Sequence, residues 1–303
     1  MPENEKSAQH TAPRSDNART AELSGPSRSD KARLLLLFTP IIIILCVVFI
    51  YPILSILHRS IYNGEYTLYF YQKIFDTPIY VIVLLRSLET AAIVTGICLL
   101  FGYILAFVIS IAPRRLAVFL LVVTTVPFFT SVIVRTYAWM ILLGDAGLVN
   151  QWLVGLGLIK RPAHFMYNRV GVIIGMTYIL LPFMIYTLYG VMKNFEWQYV
   201  RAAYSMGARP FYTFRKIFFP LTIPGVVAGC LLTFILALGL FITPSLMGGP
   251  RNVLLAMLIQ NQIEFSLDWS FAAALSALLL VVTLVCFYFY GRLSGIEKLF
   301  GGR

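Results

Sequence analysis

The stretch RAAYSMGARPFYTFRKIFFP, residues 201–220, is polar and patterned in a chain that is otherwise mostly apolar. It carries Arg201, Arg209, Arg215 and Lys216, the adjacent pair Ala202-Ala203, and Gly207. An uncharged run at 170–192 precedes it and another, 217–250, overlaps its end. Such runs recur along the chain. Residues 34–57, 116–134 and 269–291 have no charge, and 87–112 holds only Glu89. A membrane-spanning helix needs about 20 mainly apolar residues. All six runs meet that length once the third is carried past Arg135 to about residue 144. The composition agrees: 59% hydrophobic and 12% charged residues, against roughly 25% charged in soluble domains. The sequence therefore predicts an all-α membrane protein with six transmembrane helices, near 34–57, 87–112, 116–144, 170–192, 222–246 and 269–291. A β-barrel does not fit, because barrel strands alternate apolar and polar residues and these runs are apolar on every face.

The net charge of +11 follows the membrane rather than a nucleic acid. With both termini placed in the cytoplasm, the inner side collects the Lys and Arg residues of the N-terminal tail, Arg114, Arg115, the 193–216 segment and the C-terminal end. The outer side holds Arg59, Lys73, Arg86, Lys160, Arg161, Arg169 and Arg251. The inner side is the richer, so the positive-inside rule predicts an N-in, C-in topology. It also places residues 193–220 in the cytoplasm, as a loop between helices four and five.

Residues 1–33 are polar, without apolar periodicity, and read as a disordered cytoplasmic tail. Residues 34–303 then form one transmembrane domain. The first apolar run is too long for a signal core and is expected to be an uncleaved helix. The segment HRSIYNGEYTLYFYQKIFDTPIY between helices one and two reads as an aromatic, amphipathic stretch on the outer interface, or as a docking surface for an external partner. Cys46, Cys98, Cys230 and Cys286 all fall in apolar runs and read as small packing residues. The glycine pairs of GVIIG (171–175) and GVVAG (225–229) put two small residues on one helix face, where neighbouring backbones can approach.

Chemistry-bearing motifs are absent. The chain has no phosphate-binding G-x-x-x-x-G-K-[ST], no H-E-x-x-H metal pair and no G-x-S-x-G nucleophile turn. No catalytic or metal-ligating residue is expected, and no cofactor in this chain. Two ionisable residues within spans stand out as candidates for a translocation path: Arg135 and Glu89. An intramembrane arginine faces protein or a water-filled cavity, unless it snorkels to the headgroups; both readings of Arg135 stay open here.

Within residues 201–220, helix-forming residues run from 196 to 206 and Gly207 ends the turn. Val200, Ala203 and Gly207 share one face, a flat surface that another protein could approach. After Pro210 a second short helix is expected, anchored by Phe211, Phe214 and Phe218, and Pro220 starts the next span. The product is a helical elbow across the cytoplasmic ends of the bundle.

The spacing of that elbow resembles the signature of permease subunits of type I ATP-binding-cassette importers, the binding-protein-dependent inner-membrane components. The signature reads E-A-A, three residues, G, nine residues, I-x-L-P. Here Ala202-Ala203, Gly207, Ile217 and Pro220 fall at those spacings; Arg201 replaces the usual Glu and Phe219 the usual Leu. The resemblance implies that the elbow is a coupling helix to an ATPase, with Arg201, Ala202, Ala203, Gly207, Ile217 and Pro220 as its motif residues. It further implies two ATPase subunits that bind ATP and Mg, a second permease (a copy or a paralogue), an extracytoplasmic solute-binding protein, and residence in a bacterial inner membrane. LPFMIYTLYGVMKNF, IPGVVAGCLLTFILALGLFITPSLMGG and RTYAWMILLGDAGLVNQWL look like the spermidine/putrescine branch, which implies a polyamine solute. An organic anion, an amino-acid derivative or a phosphonate is the alternative solute. An ion-coupled secondary transporter is the alternative class, and it is disfavoured because such proteins use intramembrane acids that this chain nearly lacks.

Overall fold

The computed structural model describes residues 38–62 and 64–293; the tail read at 1–33 lies outside them. Residues 1–55 and 56–303 form two compact units. The described part of the first is residues 38–55, which belong to the helix Phe38–Ile61 (α1), with a π-turn at Cys46–Ile50.

The second unit holds the remaining helices in order: α2 (Tyr69–Asp76), α3 (Pro78–Ile111), α4 (Arg114–Thr125), α5 (Val132–Leu143), α6 (Leu148–Gly155) and α7 (Arg169–Lys193). There follow α8 (Gln198–Ser205), α9 (Pro210–Gly239), α10 (Ile242–Met247), α11 (Leu255–Glu264) and α12 (Trp269–Leu293). Among the described residues six helical segments are long and apolar enough to cross a membrane, and pairing of β type is confined to an isolated Tyr62–Tyr66 bridge.

Three spans depart from their expected outlines. α3 begins at Pro78 rather than at 87, because Pro78 suits the first turn of a helix, where its missing N–H costs nothing, and Thr77 is extended. The third span is not one helix over 116–144. α4 stops at Thr125, a 3₁₀ turn covers Val126–Phe129, and α5 starts at Val132. Pro127 is the cause, since it has no N–H to donate and its ring crowds the preceding turn. The third segment long enough to cross is Val132–Gly155, α5 taken together with α6, because α4 and α5 have 12 residues each, about 18 Å at 1.5 Å per residue, short of about 30 Å of hydrocarbon. The break is stitched to α7, where Tyr186 Oη donates to the Leu121 carbonyl at 3.1 Å. The fifth span also differs from 222–246: α9 ends at Gly239, Leu240 is extended, and α10 follows separately.

α7 is the axis of the unit. Val172, Met176, Leu180, Met184, Leu188 and Met192 are buried at successive i+4 positions, a row that winds slowly around the helix by about 40° per step. They join Ala91, Val94, Cys98 and Ala106 of α3 and Ala237 and Leu238 of α9 in one core. Small residues set the spacing. A Cβ at Gly102 of α3 would stand 2.7 Å from Met184 Cγ, and one at Gly229 of α9 would stand 2.7 Å from Met184 Sδ. Met184 thus fills a notch made by two glycines on two neighbouring helices. Gly225 similarly receives Val191, at 2.9 Å from a built Cβ.

α2 is a core element, not only an interfacial one. Phe70 and Ile74 are buried against Phe271, Ala274 and Leu275 of α12, and Lys73 Nζ lies 4.4 Å from the Phe271 ring centroid. The joint between α3 and α11 is polar and buried: Ser87 Oγ donates to the Val83 carbonyl at 2.8 Å and accepts from the Leu255 N–H at 2.7 Å.

Candidate functional site: the elbow and the intramembrane charges

The elbow closes through a complete helix C-cap. Gly207 has φ +80°, the left-handed conformation that a residue without Cβ adopts freely. Its N–H donates to the Tyr204 carbonyl at 2.9 Å, and the Ala208 N–H donates to the Ala203 carbonyl at 3.0 Å. These are the two bonds of a Schellman motif, which satisfies carbonyls that the helix end leaves free. The spacing Ala203–Gly207 is therefore a statement about backbone: the glycine sits one position past the cap. Arg209 is extended, and Pro210 opens α9.

The second half of the elbow is not a separate short helix. α9 runs unbroken from Pro210 into the fifth span, through a π-turn at Phe214–Phe218 in which the Phe219 N–H reaches the Phe214 carbonyl. A π-turn re-spaces the hydrogen-bond ladder immediately before Pro220, which cannot donate to it. Pro220 is exposed within the helix and Ile217 is half-buried.

Which side of α8 faces outward also differs from expectation. Val200 and Ala203 are buried, at 8% and 2% exposure, while Arg201, Ala202, Ser205, Met206 and Gly207 are exposed. The helix turns its apolar positions to the bundle, so the outward surface is Arg201, Ala202 and the capped end rather than the Val200–Ala203–Gly207 face. Phe218 is the anchor: its ring centroid lies 5.2 Å from Phe107, 4.9 Å from Phe195, 5.7 Å from Trp197 and 5.7 Å from Phe214. Aromatic pairs at these distances add stability beyond area burial. Phe107 belongs to α3 and Phe195 follows α7, so one ring of α9 touches α3 and the segment after α7. Phe211, expected to share the anchoring stripe, is 75% exposed and borders a cleft of about 380 Å³ between α8 and α9, lined also by Trp197, Tyr204 and Phe214.

The two intramembrane charges do not come together. Glu89 is held by Arg169 at the start of α7, Nη2 to Oε1 at 2.8 Å, with both side chains partly exposed. α7 begins there because Asn168 caps it, its Oδ1 accepting from the Val170 and Gly171 N–H groups at 2.8 and 3.1 Å. No sequence signal pointed to this pair; the two residues are far apart in the chain. Arg135 lies elsewhere, one turn into α5 and 8% exposed. It lines a narrow void with Thr136, Trp139, Gly175, Tyr178 and Thr243. Its Nε is buried without an acceptor. Thr136 and Thr243 share a 3.0 Å hydrogen bond, which ties the broken third span to the short helix after the broken fifth. The break at Leu240, shortly before Thr243, therefore lies near Arg135.

A family of binding-protein-dependent transport system inner membrane components matches residues 98–294. The spermidine/putrescine transport system permease protein PotB of Escherichia coli (strain K12) is 40% identical over 229 residues, covering 76% of this chain and 83% of that protein. The PotB of Haemophilus influenzae is 34% identical over 232 residues, covering 76% and 81%. Among solved structures, a bacterial ABC transporter involved in the import of the acidic polysaccharide alginate superimposes with a TM-score of 0.67 at 18% identity, over 89% of this chain and 98% of that one. Six apolar helices, a capped elbow and these likenesses converge: the chain is a multi-pass inner-membrane permease and belongs to the family of binding-protein-dependent transport system inner membrane components.

Proposed function

We propose that this chain is one of two permease subunits of an ATP-driven polyamine importer, with spermidine and putrescine as its solutes. The observation that carries this is the 40% identity with spermidine/putrescine permeases across three quarters of the chain. In this reading both termini are cytoplasmic and α8 is the coupling helix. Two ATPase subunits bind ATP and Mg and close against Arg201, Ala202 and the Gly207 cap, while this chain hydrolyses nothing itself. Closure moves α8, and the Phe218 ring passes the displacement to α3 and to the end of α7. A solute-binding protein delivers the polyamine on the outer face. Nucleotide and loaded binding protein each favour one of two helix packings, and transport is the alternation between them.

The test is the ATPase activity of the complex, purified after co-expression with its genomic neighbours. Binding protein loaded with spermidine or putrescine should stimulate hydrolysis. Stimulation by organic anions or amino-acid derivatives instead would replace the solute and keep the importer. Absence of any co-purifying ATPase would remove the coupling role of α8.

A further inference from the structure

The elbow also holds a cleft that its outward surface does not use. Trp197, Val200 and Tyr204 fall at i, i+3 and i+7 on one helical stripe, and with Phe107, Phe211 and Phe218 they line the opening of about 380 Å³. Ala202 lies two residues beyond Val200, about 200° around the helix, so the cleft and the outward surface are different sides of α8. Ligand pockets run from about 300 to 1,000 Å³, and this one falls in that range. Its walls are mostly aromatic and aliphatic, and the Thr213 hydroxyl among them is spent on the Arg209 carbonyl at 3.2 Å. An occupant therefore needs an apolar body.

The rim is cationic. Arg209 immediately precedes Pro210 at the cleft, and Arg215 stands one turn beyond Phe211. Both are exposed, and among the described residues neither guanidinium has an ion pair or a hydrogen bond. From Lys193 to Lys216 five basic residues stand against one acid, Glu196, whose carboxylate already accepts from Gln198 Nε2 at 2.6 Å. A polyamine could use the aromatic rings, but it would meet this field as a like charge. An anionic headgroup meets it as an opposite charge. Beyond the cleft α9 keeps exposed apolar residues, Phe219, Leu221 and Ile223, as a helix entering lipid does.

We propose that the cleft seats an acyl chain of an anionic phospholipid from the cytoplasmic leaflet, with the phosphate held by Arg209 and Arg215. Arginine binds phosphate through two parallel N–H bonds, and each cation near an anionic leaflet adds roughly a fivefold preference. The chain fills the space behind α8 and lies against Phe218, the ring that anchors the elbow. The lipid thereby becomes part of the packing between α8 and α9. This rests on the reading that places α8 on the cytoplasmic side.

The experiment uses the complete transporter in nanodiscs doped with phosphatidylglycerol that carries a diazirine in its acyl chain, and in parallel with phosphatidylcholine carrying the same chain. After irradiation the labelled peptides are mapped. The phosphatidylglycerol probe should label Trp197, Tyr204 or Phe211 roughly fivefold more than the phosphatidylcholine probe, the factor that one cation adds at an anionic surface. Arg209→Gln combined with Arg215→Gln should bring the two probes level, and Val200→Phe, which fills the cleft, should lower both. If the double variant does not accumulate, the two probes on the unaltered chain decide. Absence of label in the cleft from either probe overturns the proposal, and so does equal labelling by both. Labelling that appears only after the ATPase is stripped from the complex also overturns it and gives the cleft to the ATPase. Attachment of an impermeant maleimide to Ser205→Cys from outside sealed spheroplasts is a different failure, because it reverses the orientation on which the proposal rests.

Discussion

Arg169 grips Glu89 at 2.8 Å across α7 and α3, and this removes the acid of α3 from the list of free cation ligands. The pair is partly exposed, with side-chain exposures of 37% and 57%. Exposed pairs contribute about 0–1 kcal/mol. Glu89→Gln should therefore lower thermal stability only slightly and leave polyamine uptake within about twofold of the starting level, by the same weak-pair argument. A collapse of uptake in a stable, inserted Glu89→Gln protein would return Glu89 to the translocation path.

Gly207 combines two requirements that different substitutions separate. Its φ of +80° disfavours any residue with a Cβ, yet among the described residues no atom lies within 4 Å of a built Cβ. Asn tolerates this conformation better than Ala. Gly207→Ala should cost about 1 kcal/mol in local stability through backbone strain, read as increased hydrogen exchange of α8. Gly207→Asn should strain the backbone less but still obstruct the docking surface, and ATP-driven uptake should fall in both. Normal uptake by Gly207→Asn would reduce the role of the glycine to capping.

Arg201 stands exposed on the outward face of α8, beside Ala202. Its side chain has no role in holding the elbow together, so Arg201→Glu should leave thermal stability unchanged. If Arg201 meets an acidic neighbour on the ATPase, as proposed, the substitution should alter the ratio of solute moved to ATP hydrolysed, because it would reverse that charge complementarity. An unaltered ratio would mean that the ATPase meets the elbow through Ala202 and the capped end alone.

Met184 offers a test of the helix spacing. Gly102→Val forces two methyls into the space occupied by Met184 Cγ, and overpacking of this kind costs about 1–3 kcal/mol. The unfolding temperature of the purified complex should drop. Met184→Ala in the same chain should recover part of that loss by opening the notch. Recovery is the informative readout, since an unrelated folding defect would not respond to Met184.

Ser87→Ala would leave the Leu255 N–H without its acceptor in a buried joint. An orphaned buried donor costs about 1–3 kcal/mol. Proteolysis or hydrogen exchange should show α11 loosening before the α3–α7–α9 core does. Ser87→Cys, with a weaker acceptor, should lie between.

Residues 201–220 already carried the family in their spacing. The reason is local: Ala203–Gly207 is one helical turn plus its left-handed cap, and Pro210 can only start a helix or a turn. The six spans were legible for a similar reason, because transfer of apolar residues out of water depends on composition along the chain and hardly on neighbours in space. The glycine pairs at 171–175 and 225–229 also announced close helix approach, although not that Met247, Val191 and Met184 would be the residues received. Tertiary structure decided the rest. Burial of Val200 and Ala203 reversed the face that α8 presents, because the rotation of a short amphipathic helix is set by the surface it packs on. Continuity through Pro220 depended on a π-turn that sequence patterns do not mark. The Glu89–Arg169 pair and the isolation of Arg135 depend on the depth and rotation of helices distant in sequence. Depth and rotation are fixed by packing around α7, so a list of charges in apolar runs could name both residues without saying which had found a partner.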